Sequence, residues 1–234
     1  ETLTNNVAEQ AWKLFLEIED NGGFFAAIKA GSVQKAVKET ATKRLKAVSS
    51  RREVLLGTNQ FPNFSEVAAA KVEFKNEAGC GCDHTGVEKL VPVRAAEEFE
   101  ALRFATEAAA KRPKAFMLTI GSLAMRLARA QFSCNFFACA GYEVIDNLGF
   151  KTVEEGVEAA QAAGADIIVL CSSDDEYAEL APAAFKAIDG KQLFVVAGAP
   201  ACTDDLKAIG IEHFINVKTN VLETLKQFNQ LLSI

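Results

Sequence analysis

The sequence predicts an α/β protein in which a helical first third leads, through a linker, into a five-stranded parallel sheet. Three observations predict it. Beyond Pro113, apolar runs of strand length alternate five times with helical segments. Before residue 50, apolar residues recur instead at helical spacing. Between the two, residues 62–93 mix one possible helix turn with a glycine-rich loop and read as a linker laid over a surface.

Each element has a local reason. Thr4 is placed to cap a first helix whose Leu3, Val7, Ala11, Leu14 and Ile18 share one face, with Phe15 widening it. The run "DNGG" at 20–23 stops that helix. A second helix is expected from Phe24 to Ala30, ended by Gly31, and a third, charged and amphipathic, from about Val33 to Val48. "EVLLGTN" at 53–59 reads as a short buried strand closing at a turn, with Pro62 beyond it. Another helix runs from Arg94 to about Lys111, and Pro113 marks a boundary. Strands then fall at 115–120, 142–145, 166–171, 192–197 and 213–216, and helices near 122–140, 152–163, 176–188, 203–209 and 220–232. Right-handed crossovers leave few topologies for such a series, and the flavodoxin-like (Rossmann-type) order is favoured. The divisions expected are a helical segment over 1–61, a linker with its connecting helix over 62–112, and the sheet domain over 113–234.

Composition excludes several classes. Half of the 234 residues are hydrophobic and 24% are charged, the balance of an ordinary globular protein. A net charge of −6 argues against nucleic acid as a partner. The local basic group Lys43, Arg44, Lys46, Arg51 and Arg52 reads as a solvated helix face. No apolar run approaches the roughly 20 residues of a membrane span, and no signal-peptide pattern opens the chain. Glu1 reads as the start of a processed or excised piece. Six cysteines in this length do not make a disulfide scaffold. Cys134, Cys139 and Cys171 stand among apolar residues as small hydrophobes, which fits a reducing cytoplasm.

The residues able to do chemistry are few. "CGCDHTG" at 80–86 offers Cys80, Cys82, Asp83 and His84, but the spacing is wrong for structural zinc, and Cys202 and His213 are distant partners, so no metal is expected. Ser172, Ser173 and Asp174 follow the third strand, at the ligand edge of such sheets, where they either bond a ligand or cap the next helix. Asp174 with Asp175 suggests a phosphate-receiving or magnesium site, but a receiver would also need acids after the first strand and a lysine late in the sheet; the first strand ends "TIG", so that reading fails. Gly198 would let a ligand or another backbone approach after the fourth strand. His213 has no implied partner, and no G-x-S-x-G elbow is present. No catalytic residue is assigned.

The order "EIEDNGGFFAAIKAG", "VLLGTNQFPN", "PVRAAEEFEALR" and "RPKAFMLTIG" resembles the C-terminal part of the methylmalonyl-CoA mutases over essentially the whole chain. The resemblance implies that the first helices end a (β/α)₈ barrel, that a linker follows, and that the last domain has the cobalamin-binding fold. Three signatures of that domain depart from the family pattern here. Aligned on Gly121, Leu123 stands at the aspartate, Met125 at the cobalt-ligating histidine and Ala128 at the glycine of D-x-H-x-x-G. Ser172 keeps the serine of S-x-L, but Asp174 replaces its leucine, and the glycine pair after strand four reads Ala197–Gly198. A thioether at Met125 cannot join a carboxylate–imidazole relay.

This pattern is similar to the small, non-cobalamin subunit of the heterodimeric mutases. The resemblance implies a cytoplasmic accessory subunit of propionate metabolism. Its partner would be a large subunit that interconverts methylmalonyl-CoA and succinyl-CoA with adenosylcobalamin. With Leu123, Met125 and Leu127 in place, the helix is expected to begin just after Gly121 and fill the nucleotide-tail pocket with side chains. Two alternatives stay open. One is a module for base-on cobalamin without a histidine ligand, and the other a flavodoxin-like domain that binds another small molecule through Ser172, Ser173, Asp174 and Gly198. The first helices carry apolar stripes, so self-association of this piece is expected.

Overall fold

The computed structural model describes residues 1–68 and 86–234. Their contacts form two compact units, one of residues 1–46 with 86–94 and one of 47–68 with 95–234.

The first unit is helical. Helix α1 spans Thr2–Asp20, α2 spans Gly23–Ala30, and α3, Ser32–Ser49, runs on into the second unit. Glu1, not Thr4, is the N-cap of α1, so Thr4 lies inside the helix. None of the residues of α1 is buried, and Leu3, Val7, Leu14 and Phe15 stand in solvent along its apolar stripe. Gln34 is the polar tie of this unit, donating to the carbonyls of Ile28 and Glu88.

The second unit is built on a sheet. Helix α4 (Glu97–Ala108) precedes β1 (Lys114–Thr119), α5 (Leu123–Ala138), β2 (Glu143–Ile145), α6 (Val153–Ala162) and β3 (Ile167–Cys171). Then come α7 (Tyr177–Ile188), β4 (Leu193–Ala197), α8 (Thr203–Ala208), β5 (His213–Ile215) and α9 (Val221–Leu231). All pairings are parallel, in the order β2-β1-β3-β4-β5, the flavodoxin-like arrangement expected.

Side chains alternate across the sheet, so successive residues of one strand enter different cores. Ala115, Met117, Ile167, Val169 and Val195 face Phe136, Phe137 and Phe228, together with Phe99 and Leu102 of α4. Phe116, Leu118, Ile168, Leu170 and Val196 face the opposite cluster, with Val157, Tyr177, Ala181 and Leu206. Both faces of β1, β3 and β4 are thus dry, which is why these strands read as continuous apolar runs.

The segment 53–59 is not the buried strand expected. It makes one isolated bridge, Leu56 to Gln60, and Leu56 is 78% exposed. Asn59 sets this shape: fully buried, its Oδ1 accepts from the Leu55 N–H and its Nδ2 donates to the carbonyls of Val48 and Glu53. Those bonds fold the chain back on the end of α3 and leave no extended edge to pair.

Candidate functional site

Strand order reverses between β1 and β3, and the carboxyl ends of those strands are where a ligand sits in this fold. After β1 the chain turns through Gly121 at φ +81°, a left-handed conformation that a side chain disfavours. Ser122 is then the N-cap of α5, without a side-chain bond of its own to the helix. Helix α5 does begin almost at once after Gly121.

The expected filling by its apolar residues does not occur. Leu123 is 60% and Met125 39% exposed, and Leu127 and Ala128 also face solvent. Arg126, one turn before buried Ala130 on the same face of α5, donates to the carbonyls of Gly121 and Leu148.

The place is filled from β3's side instead. Oε2 of Glu176 accepts from the Ser172 hydroxyl at 2.5 Å, the Ser173 hydroxyl at 2.6 Å, and the Ser122 and Ser173 N–H groups at 3.2 Å each. These donors, led by the two hydroxyls, hold its carboxyl far below the ordinary value, at about 2. The side chain lies directly over Gly121, where an added Cβ would stand 2.6 Å from the Glu176 Cδ. A carboxylate of the chain itself therefore bridges the ends of β1 and β3.

Tyr177 fills the neighbouring space toward β4. Fully buried, it donates its hydroxyl to the Ala197 carbonyl at 2.6 Å and accepts from the Ser172 N–H at 3.0 Å. Its ring lies under Gly198, where an added Cβ would be 2.9 Å from Cε2. The close approach expected at Gly198 is real, but the chain's own side chains make it: the Tyr177 ring and, also 2.9 Å from an added Cβ, Oδ1 of Asp174. Asp174 lies on the outer rim, paired with Arg129 at 3.0 Å.

Neither Ser173 nor Asp174 caps α7 by a side chain; the N-cap is Glu176. Ser173 instead donates to Glu176, three residues on, and the carboxylate reaches back to the Ser173 N–H as in the acidic half of a capping box. The spacing Ser173-x-x-Glu176 was the sequence signal for this contact, and reading only the serines and Asp174 missed it.

The other candidates do not join this site. Cys202 is the N-cap residue of α8, and His213, at the start of β5, packs edge-on against Phe228 with burial lowering its pKa. Cys80, Cys82, Asp83 and His84 lie outside the described residues. Among the described residues no cluster of three or more metal-ligating side chains occurs, and no helix is long and apolar enough to cross a membrane. Cys134, Cys139 and Cys171 are free and buried, as small hydrophobes should be. Arg51 of the basic run is turned inward, bonding the Asn59 carbonyl and Asn135 Oδ1.

A family model described as methylmalonyl-CoA mutase matches residues 1–134. The chain is 62% identical, over 98% of its length, to the methylmalonyl-CoA mutase small subunit of Porphyromonas gingivalis, of which the match covers 37%. It is 34% identical over 80% of its length to the small subunit of Streptomyces virginiae, covering 30% of that protein. The large subunit of the Porphyromonas gingivalis mutase is 28% identical over 47% of this chain and 15% of its own length. The chain thus spans about a third of the length of the small subunits it matches.

Proposed function

The chain belongs to the methylmalonyl-CoA mutase family, and from that premise we propose that it is the C-terminal part of an accessory small subunit that holds no cobalamin. On this reading it supports a large subunit that interconverts methylmalonyl-CoA and succinyl-CoA. The observation that carries the proposal is the Glu176 carboxylate seated over Gly121, bonded to Ser122, Ser172 and Ser173.

The residues present do not fit the cofactor that the fold family implies. A nucleotide tail carries a phosphodiester, and Glu176, with its pKa held near 2, puts a second negative charge at the strand ends. Tyr177 occupies the space under Gly198 that a ligand would otherwise approach. Met125, at the position of the cobalt-ligating histidine, supplies a thioether on an exposed helix face with no carboxylate to orient it. No step is therefore assigned to this chain through cobalamin.

The same edge supports a role in assembly. Leu123, and Leu148 at 90% exposed, both stand on loops or helix starts at the carboxyl ends of strands. Large exposed apolar side chains grouped on one edge mark surfaces that another protein or domain covers.

A visible-spectrum titration of adenosylcobalamin into the full-length protein tests the first half of the proposal, and gel filtration with the large subunit tests the second. The expected outcome is an unchanged cofactor spectrum, a colourless protein after desalting and co-elution with the large subunit. Stoichiometric retention of the red cofactor would overturn the reading and restore a cobalamin-binding module.

A further inference from the structure

The turn between α1 and α2 carries a reaction of its own. Asn21 is followed by Gly22, and no other asparagine of the sequence precedes a glycine. Asn21 is the C-cap residue of α1, and Gly22 is the N-cap residue of α2. Gly22 and Gly23 both hold left-handed backbone, at φ +96° and +82°, and Asn21 is exposed.

The pairing matters because the backbone nitrogen after an asparagine can attack its carboxamide, and a side chain on that next residue obstructs the approach. Glycine has none, and its backbone reaches conformations that other residues resist. In the folded turn two hydrogen bonds hold the reaction back. Nδ2 of Asn21 donates to the Glu17 carbonyl at 2.6 Å, and the Gly22 N–H donates to the Glu19 carbonyl at 3.1 Å. Both acceptors lie in the last turn of α1, so the reaction needs only that turn to open.

That turn is weakly held. Glu17, Glu19 and Asp20 place carboxylates at the negative end of the helix dipole, and no basic residue of the last turn offsets them. No residue of α1 is buried, so fraying at its end breaks no core contact.

We propose that Asn21 deamidates spontaneously and that the product releases the end of α1. The Gly22 nitrogen bonds to Cγ of Asn21 as the Cγ–Nδ2 bond breaks, and Nδ2 leaves with the Gly22 proton as ammonia. Solvent water then opens the succinimide at either carbonyl, leaving aspartate or isoaspartate, and no electrons are exchanged. A carboxylate cannot donate to the Glu17 carbonyl, so the product loses the 2.6 Å bond and adds a further negative charge at the same helix end. The bond that restrains the reaction is the one the reaction destroys.

The test follows the tryptic peptide Leu14–Lys29 by mass spectrometry, from full-length protein aged at pH 8 and from a synthetic peptide of the same sequence. The expected result is an amide-to-acid mass gain at Asn21 at least tenfold faster than at any other asparagine. Its rate should lie within about tenfold of the synthetic peptide's, as fraying of an unburied helix end allows. Mass distinguishes it from Asp189–Gly190, where isomerisation leaves the mass unchanged. Asn21→Gln, which would have to close a larger ring, should abolish the gain. Hydrogen exchange at the amides of residues 17–20 should be several-fold faster in Asn21→Asp than in the parent. An unchanged Asn21 in the aged protein would overturn the proposal, whether or not the synthetic peptide converts. Equal hydrogen exchange in the parent and Asn21→Asp would overturn the release of α1.

Discussion

Replacing Glu176 with glutamine keeps the shape of the side chain and removes its charge, so it isolates what the carboxylate contributes. The structure sets the size. Four donors converge on one oxygen, and the pKa falls from the ordinary 4.5 to about 2. At full weight that difference corresponds to about 3.4 kcal/mol. The carboxylate is partly open to water, which screens the interaction, so about 1–2 kcal/mol is expected from Glu176→Gln at pH 7. The sign follows from a folded pKa below the unfolded one. The stabilisation is complete above about pH 4.5 and is lost as the pH falls toward 2. Both tyrosines, Tyr142 and Tyr177, lie in the sheet unit, so urea unfolding followed by tyrosine near-ultraviolet CD in a Trp12→Phe background reports that unit. The gap between parent and variant should be open at pH 7 and roughly halved by pH 3. An equal gap at both values, or no gap at pH 7, would refute the argument that a charged Glu176 holds β1 to β3.

Gly121→Ala should cost about 2–3 kcal/mol, from its φ of +81° and from the overlap of its new Cβ with Glu176. Combined with Glu176→Ala the cost should be less than additive, and strict additivity in a double-mutant cycle would show that the two do not touch. Tyr177→Phe strands the Ser172 N–H and the Ala197 carbonyl in the interior; a loss of about 1–3 kcal/mol in urea unfolding is expected. Burial pushes the Cys134 thiol up to about 12 and raises those of Cys139 and Cys171, so all three stay protonated at pH 8. Peptide mass spectrometry after iodoacetamide treatment of the native protein should find them unmodified. The exposed stripe of α1 should make the piece Glu1–Ile234 self-associate, and sedimentation as a concentration-independent monomer would contradict that.

The sheet was legible because its signals are local. A run such as Ile167–Cys171 is apolar on both faces only if helices cover both, and the five-fold alternation then restricts the strand order. The segment 53–59 misled for the opposite reason. Val54, Leu55 and Leu56 look like a strand, but Asn59 reaches back to Val48 and Glu53, and no period announces a side chain that bonds across eleven residues.

At the strand ends, the departures from the family's motif were readable position by position, whereas the contacts made there were not. Leu123 and Met125 have the hydrophobicity of pocket fillers, yet the face of α5 that meets the sheet is the one carrying Ala130, Ser133, Cys134 and Phe137 further along the helix. Glu176 shows no hydrophobicity and lies among acids, so composition places it in solvent; only its spacing from Ser173 hints at the contact. What holds the glycine turn after β1 is found by asking which hydrogen-bonded group lies over it, and here that group is the Glu176 carboxylate from the loop after β3.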